Sequence, residues 1–302
     1  MTAPVILFVY NRLDHTTQVI HTLSQNELAG ETDLFVFSDA AKNEKGQAQV
    51  EAVRAFIQSK EWQSNFKSVK IVLAEKNKGL ANSVIGGVSS IIEQYKKVIV
   101  VEDDLILSRN FLQYMNDALD FYQDDQKIWS ISGYSFWMKS LEKYPHDVFY
   151  SYRGCSWGWG TWLDRWEKVD WKVNNYPQML ADKKWQQRFN RGGNDLVNML
   201  KLQMEGKIDS WAIRWCFAQS NLDMYTVYPK YSYLTNDGCD GTGTHSGTSD
   251  EFDTDLQSCT KNCKFEYLKI DKKITRDFYL KHSDTLNKKI KRNLKKIFGE
   301  KK

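Results

Sequence analysis

Residues 98–107 read Val98-Ile99-Val100-Val101-Glu102-Asp103-Asp104-Leu105-Ile106-Leu107, an apolar run interrupted by three consecutive carboxylates. The β-branched residues before the acids are typical of a buried strand. Unpaired carboxylates beside such a strand are costly, so a cation or hydrogen-bond donors should meet them. Hard oxygen ligands favour Mg²⁺ or Mn²⁺, ions that usually keep several waters and bind substrate phosphates. The run therefore predicts a divalent-metal site suited to a nucleotide diphosphate, with a solvated acidic turn as the alternative.

Three further apolar runs precede this one, at residues 4–10, 34–37 and 69–73. Helical patterns follow the first run and the third, and this alternation predicts parallel βαβ units covered on both faces. Ligands of such sheets bind beyond the carboxyl ends of the strands. Polar residues following the four runs should therefore converge on one edge. They are Asn11-Arg12, Ser38-Asp39, Asn77 and Glu102-Asp103-Asp104.

Composition and missing motifs narrow the class of protein. The chain has 302 residues, enough for one large α/β domain or two small ones, and we expect one. With 41% hydrophobic and 26% charged residues it should be a folded globular protein rather than a disordered one. Its net charge of +4 is mild, and we expect no nucleic-acid partner. No apolar run of 18 residues and no leader occurs, so we expect a cytoplasmic protein. The sequence contains neither a Walker-type loop nor a G-x-G-x-x-G turn. Five cysteines fit reduced thiols, and Cys259 and Cys263 lack the second ligand pair of a zinc site.

The second half of the chain is predicted to be helical and rich in loops. Ser108 is expected to cap a helix, and residues 128–133 and 225–228 to form strands. Helices are expected around residues 176–190, 194–205 and 210–222. The glycine-rich stretch 236–247 predicts a mobile lid. We expect one domain over residues 1–281, with halves at residues 1–105 and 106–281, and a separate tail (282–302).

Aromatic residues and the tail each leave two interpretations open. Trp157, Trp159, Trp162 and Trp166 surround Gly158 and Gly160, and they could form a wall for sugar rings or pack in the core. In the tail, apolar residues recur at helical spacing from Leu286 to Phe298 among many lysines. That pattern suits the surface of an anionic bilayer, and a solvated C-terminal helix is the alternative.

Taken in order, the motifs resemble those of a GT-A glycosyltransferase. The nearest pattern is that of the inverting N-acetylglucosaminyltransferase I family, which uses a Glu-Asp-Asp form of the Asp-x-Asp motif; bacterial family 2 glycosyltransferases are more distant. The resemblance covers roughly residues 4 to 250 and implies a Rossmann-like, mostly parallel sheet flanked by helices. It also implies that residues 1–281 are one catalytic domain, with a nucleotide-sugar-binding half (1–105) and an acceptor-side half (106–281). It is carried by Tyr10-Asn11-Arg12, Ser38-Asp39, Val100-Val101-Glu102-Asp103-Asp104-Leu105, Tyr152-Arg153, Asp209-Ser210-Trp211 and Gly243-Thr244-His245-Ser246-Gly247.

The resemblance also implies a role for each matching position. Asp104 would bind the metal, and His245 would bind the metal or the diphosphate when the lid closes. Asp209 would be the general base, although it could also be only a helix N-cap. Where the family has a histidine this chain has Asn77, which puts the selectivity for the base in doubt. Arg12 would contact the diphosphate, and Tyr10 and Asn11 would belong to the same nucleotide-sugar site. The remaining implied contacts are Glu102 and Asp103 with the ribose or donor sugar and with metal-bound waters, Asp39 and Asn77 with uracil, and Arg153, Trp157 and Trp159 in a wall for the acceptor or donor sugar.

These expectations describe a metal-dependent, inverting hexosyl- or N-acetylhexosaminyltransferase with Mn²⁺ or Mg²⁺ as cofactor. Its donor would be a UDP-sugar and its acceptor a glycan or lipid-linked glycan of surface polysaccharide synthesis, reached through peripheral membrane contact of the tail. A sugar-phosphate nucleotidylyltransferase is one rival, disfavoured because only Asn11-Arg12 follows the first strand. A non-catalytic carbohydrate-binding protein on the same fold is the other.

Overall fold

The structure, a computed structural model, describes residues 2–238, 254, 256 and 262–283. In this part of the chain, strands and helices alternate first and helices dominate later. The strands are β1 (Val5–Val9), β2 (Asp33–Ser38), β3 (Ser68–Leu73), β4 (Lys97–Glu102), β5 (Leu105–Leu107), β6 (Ile128–Ser132), β7 (Val148–Ser151), β8 (Trp159–Trp162), β9 (Tyr225–Pro229) and β10 (Leu234–Asn236). The α-helices are α1 (Leu13–Ser24), α2 (Gln47–Gln58), α3 (Leu80–Tyr95), α4 (Phe111–Tyr122), α5 (Leu163–Trp166), α6 (Tyr176–Ala181), α7 (Lys183–Phe189), α8 (Leu196–Met204), α9 (Trp211–Asn221) and α10 (Lys272–Lys281).

One large sheet organises the fold, with strand order β3-β2-β1-β4-β8-β6-β9-β7 among the described residues. β3, β2, β1 and β4 are parallel neighbours, and β6 and β9 form a further parallel pair. β8 runs antiparallel between β4 and β6, and β7 runs antiparallel on β9. The predicted α/β class with a mostly parallel sheet is therefore confirmed, and the two predicted halves contribute strands to the same sheet.

The neighbouring parallel strands β1, β2 and β4 are covered on both faces, as their unbroken apolar runs predicted, whereas the edge strand β3 exposes Ser68, Lys70 and Leu73. In β4, Ile99 and Val101 pack into one core with α1 and α4, whereas Val98 and Val100 pack into the other core with α3. This alternation is the period-two geometry of a strand. Because both faces of β1, β2 and β4 are buried, polar groups of these three strands can reach solvent only near the strand ends.

Most predicted elements occur, with small differences at their ends. The segment 176–190 is divided into α6 and α7, and Asp182 caps α7 by accepting hydrogen bonds from the backbone of Lys184 and Trp185. The prediction that Ser108 caps a helix is wrong, since α4 begins at Phe111 with Asn110 in the capping position. The Ser108 side chain is buried, and its hydroxyl has no partner among the described residues.

A small second sheet lies next to the carboxyl end of β4. β5 pairs antiparallel with β10, and Leu105 is opposite Asn236. The backbone of Asp237 donates to the carbonyl of Asp104 at 2.9 Å. This pairing fixes the acidic triplet between two β-elements. None of the helices in the described ranges is both long enough and apolar enough to cross a bilayer.

Candidate active site

The polar residues predicted to converge do lie at one edge of the sheet. β1 pairs in parallel with β2 and with β4, and Phe8 is opposite both Phe37 and Glu102. The carboxyl ends of three neighbouring strands therefore lie at the same level. Residues 10–12, Asp39 and the acidic triplet follow directly from these ends. The loop after β3 adds Asn77 beside Asp39.

Arg12 joins the acidic triplet to the first strand. Its Nη2 forms ion pairs with Asp103 Oδ1 and with Asp104 Oδ2, the latter at 2.9 Å. The three side chains are 18%, 9% and 12% exposed, so water screens these pairs little. Two polar atoms of the cluster, Arg12 Nη1 and Asp104 Oδ1, are buried and have no hydrogen-bond partner among the described residues. The cluster thus keeps one buried donor and one buried acceptor that an anion and a cation could use.

The electrostatics of the cluster reflect an excess of acid. Burial, together with the charges of Asp104 and Asp103, raises the pKa of Glu102 well above its usual value, although Arg12 opposes the shift. Burial also raises the pKa of Asp103, with Arg12 opposing and Asp104 adding to the rise. Burial alone would lower the pKa of Arg12, but the charges and hydrogen bonds of the two aspartates raise it. Arg12 is thus the main positive charge that acts on three carboxylates, and additional positive charge would be favourable here.

Asp39 shapes the loop that leads into α3. Its carboxylate accepts hydrogen bonds from the backbone of Ala40, Lys78 and Gly79 and from the hydroxyl of Ser83, at distances of 2.9–3.2 Å. These donors bind both carboxylate oxygens of Asp39, so a nucleobase would have to share one of these oxygens with them.

Asn77 is exposed beside Asp39 on the same loop. It donates its amide N–H to the carbonyl of Ala40 at 2.7 Å. That hydrogen bond orients the side chain, and the amide oxygen stays available as an acceptor.

Asp209 lies against the N-terminus of α3, although it follows Ala81 of that helix by 128 residues in the chain. Its Oδ2 accepts a hydrogen bond from the backbone of Ala81 at 3.2 Å. Gly79 makes this approach possible, because it has φ +75° and an added Cβ would lie 2.9 Å from Asp209 Oδ2. The N-cap of α9 is the neighbouring Ser210, whose hydroxyl accepts from the backbone of Ile213. Asp209 therefore does not cap its own helix.

The surroundings of Asp104 fit a metal that relies on its substrate. Among the described residues, no group of three His, Cys, Asp or Glu side chains forms a ready-made metal cage. Mg²⁺ and Mn²⁺ do not require one when phosphate oxygens and waters complete their coordination. The unpartnered Oδ1 of Asp104 is a suitable oxygen ligand. A side chain at Gly238 would overlap Oδ2 of the same carboxylate, so glycine keeps this position open.

Arg153 and Trp157, two of the residues predicted to form a substrate wall, have different roles in the structure. Arg153 binds Asp195 through two hydrogen bonds of 2.8 and 3.0 Å. Trp157 is partly exposed and contacts Tyr134. Near it, burial raises the pKa of the Cys155 thiol, and the negative charge of Glu102 adds to the rise. Arg153 is thus held in an ion pair, and Trp157 keeps some open surface.

Trp159, the third predicted wall residue, is fully buried and stacks on Trp211. It cannot contact a sugar, because it has no exposed surface. Trp159 therefore belongs to the core, the interpretation that the sequence left open.

Two predicted features lie outside the described residues. They are His245 with most of the glycine-rich loop, and the basic tail from residue 284 onward. Their proposed contacts stay predictions.

Three residues also hold the site together in ways that the sequence analysis did not predict. Arg54 on α2 donates to the carbonyls of Ser38 and Ala74, at 3.4 and 2.7 Å, and so ties the ends of β2 and β3 together. The hydroxyl of Tyr10 accepts from the backbone of Lys42 at 3.1 Å and fixes the next loop. Gly79 admits Asp209, as described above. Only the Asn77-Lys78-Gly79 turn gave a signal in the sequence, as a glycine directly before a helix.

Comparison with known proteins gives weak similarities. No protein-family model matches the chain, and no curated protein matches it. The structure of the mannosyltransferase PcManGT from Pyrobaculum calidifontis, in complex with GDP-Man and Mn²⁺, is 11% identical, with a TM-score of 0.41 over 74% of this chain and 70% of that one. S. aureus TarS is 12% identical, with a TM-score of 0.40 over 78% of this chain and 36% of TarS, so the similarity spans about a third of that protein. With both TM-scores below 0.5, function has to be inferred from the residues, and the resemblance to the N-acetylglucosaminyltransferase I family stays a prediction.

Proposed function

We propose that the chain is a metal-dependent, inverting glycosyltransferase. Its donor is a nucleoside diphosphate sugar, a UDP-sugar, and its acceptor is a glycan or lipid-linked glycan. The observation that carries this proposal is the Arg12–Asp103–Asp104 cluster with its unpartnered Arg12 Nη1 and Asp104 Oδ1. A buried donor and a buried acceptor next to each other suit a phosphate anion and a metal cation bound together. Their position at the carboxyl edge of a parallel sheet is where nucleotides bind in such folds.

Each side chain in the cluster has a distinct task in donor binding. Arg12 Nη1 donates to an oxygen of the diphosphate while Nη2 stays on the two aspartates. Asp104 Oδ1 holds the cation. When bound, Mg²⁺ or Mn²⁺ offsets the negative charge that develops on the leaving diphosphate. Glu102 and Asp103 face the ribose or the donor sugar, and the amide oxygen of Asn77 accepts a hydrogen bond from the N3–H of uracil.

The transfer step needs a base that faces the acceptor. In an inverting reaction, the acceptor oxygen bonds to the anomeric carbon as the bond from that carbon to the diphosphate oxygen breaks. The acceptor proton passes to the base. We assign this role to Asp209, because the amide of Ala81 holds one oxygen at the start of α3 and leaves the other for the acceptor hydroxyl.

The melting temperature tests this assignment through ligand linkage. UDP and Mn²⁺ together should raise it by more than the sum of their separate effects, because each completes the binding site of the other. Asp104→Ala should abolish this joint increase. Asp195→Ala, which breaks an ion pair elsewhere, should keep it. Absence of any joint increase in the wild-type protein contradicts the proposal, and GDP and CDP in parallel reveal which base is preferred.

Activity separates the proposed enzyme from its rivals. Release of UDP from a panel of UDP-sugars, detected by mass spectrometry, is expected only for a transferase. Binding of UDP and Mn²⁺ without any release would instead favour a carbohydrate-binding relative of the fold. Formation of a nucleotide-sugar from a nucleoside triphosphate and a sugar phosphate would favour the nucleotidylyltransferase.

A further inference from the structure

Trp137 is the most exposed large hydrophobic residue of the described chain, at 73%. Its neighbours Tyr134, Phe136 and Met138 are each only 4% exposed. The segment is also fixed by hydrogen bonds, from Ser135 to the hydroxyl of Ser232 at 3.0 Å and from Tyr233 to the carbonyl of Gly133 at 2.9 Å. An indole that projects from a firmly anchored segment cannot fold back into the core.

The segment that carries Trp137 lies along α10. Phe136 packs against Phe278 with 5.1 Å between ring centroids, and Lys281 Nζ lies 5.6 Å from the Phe136 ring. Further along, the backbone of Ser140 donates to Asp277 at 3.0 Å. Trp137 therefore lies beside the last two turns of α10, where Leu280 is 47% exposed.

The outward face of α10 is cationic. Ile274 and Phe278 face the core, whereas Lys272, Lys273 and Arg276 are exposed. Lys139, two residues after Trp137, is exposed as well. Beyond the described residues the sequence continues this trend, with eight Lys or Arg against two Asp or Glu in residues 284–302.

We propose that Trp137, Leu280 and the cations of α10 form a docking surface for an anionic lipid bilayer. Tryptophan is suited to the level of the headgroups, and basic residues around it are attracted to anionic lipids. Charge selects this occupant over a neutral partner, because the surface and the chain that follows it are both basic.

Docking here also names the acceptor class, a conclusion that rests on the proposed function. Trp137 follows β6, which runs parallel to β4 through their shared neighbour β8, so its segment leaves the sheet at the edge that holds the acidic triplet. A bilayer at this surface would face the donor site, and the acceptor would be lipid-linked rather than a free glycan.

Vesicle flotation with the full-length protein tests the surface without any catalytic readout. The protein should bind vesicles of phosphatidylcholine mixed with phosphatidylglycerol, bind pure phosphatidylcholine weakly, and dissociate at high salt. The double variant Lys273→Glu and Arg276→Glu should weaken binding by roughly 25-fold or more, given the contribution of each basic residue near an anionic surface. Trp137→Ala should weaken it by roughly tenfold, through lost apolar contact.

Matched controls come from β3. It is one outer strand of the sheet, whereas α10 packs on β7, the outer strand at the other side. Lys60→Glu with Lys70→Glu, and Leu73→Ala, change exposed residues of the same kinds at and beside β3, so binding should not change. Equal binding of the α10 and Trp137 variants and the wild type would overturn the surface and leave the tail as sole anchor. If Trp137→Ala instead lowers only the transfer to a soluble saccharide, Trp137 belongs to an acceptor site and the lipid surface is refuted. Because vesicle binding needs neither UDP nor Mn²⁺, its failure is distinguishable from failure of the proposed function.

Discussion

Removal of the Arg12 side chain tests the charge balance of the site most directly. Arg12→Ala deletes two ionic hydrogen bonds, to Asp103 and Asp104, in a cluster whose members are at most 18% exposed. Hydrogen bonds to charged groups contribute about 1.5–3 kcal/mol each, and water entering the vacated space lowers the loss. We therefore expect the free energy of unfolding to fall by about 3 kcal/mol. For a chain of this size that corresponds to roughly 5–10 °C in melting temperature.

The same variant should respond more strongly to metal than the wild type. Without Arg12, the three carboxylates lose the largest positive charge that acts on them, and Mn²⁺ would replace it. Differential scanning fluorimetry with chelator and with Mn²⁺ measures both effects. Arg153→Ala is the matched control, because it also deletes two ionic hydrogen bonds of a largely buried arginine, here both to Asp195, and should lose stability without recovery by metal. An unchanged melting temperature of Arg12→Ala in chelator, or equal metal responses of the two variants, would refute the coupling of Arg12 to the metal site.

Three further predictions concern neighbouring residues. Asp209→Asn should keep the joint stabilisation by UDP and Mn²⁺ but lower turnover by a factor of roughly 10²–10⁴, as expected for a lost general base; loss of donor binding would remove the assignment. Gly79→Ala should lower both stability and turnover, because its φ of +75° and the contact with Asp209 leave no room for a methyl group, whereas Gly30→Ala, with nothing within 4 Å, serves as the control for both measurements. Glu102→Gln should raise the free energy of unfolding of the metal-free protein at neutral pH. Because folding raises the pKa of Glu102, this free energy falls as the pH rises from the pKa of the unfolded state through that of the folded state. Glutamine does not ionise, so it removes this loss. Thermal unfolding of both proteins across this pH range checks the sign.

The sequence predicted the parallel part of the sheet well, because buried parallel strands leave unbroken apolar runs such as residues 98–101. It did not predict β8, in which Trp159-Gly160-Thr161-Trp162 is short and interrupted by glycine and threonine. The same residues were interpreted as a possible sugar wall, and only the antiparallel pairing with β4 and β6 shows that Trp159 lies inside.

The candidate site was predictable where its residues follow strand ends, as Arg12, Asp39 and the acidic triplet do. The placement of Asp209 was not, because its contact with Ala81 spans 128 residues and depends on how the second half of the chain folds over α3. The sequence also did not predict that Asp39 holds the loop before α3 through hydrogen bonds to its backbone. An aspartate that binds backbone amides cannot be distinguished by sequence from one that binds a nucleobase.

The short pairing of β5 with β10 connects two distant parts of the polypeptide next to one acidic residue, Asp104. Asp104 is held through its carbonyl by Asp237, and its side chain lies against Gly238. Any movement of Asp104 toward an incoming ion would consequently pull on the main chain at residues 237 and 238. A spectroscopic label placed at exposed Asp237 would therefore sense occupancy of the acidic triplet without touching it, and would give a continuous readout of donor arrival and departure.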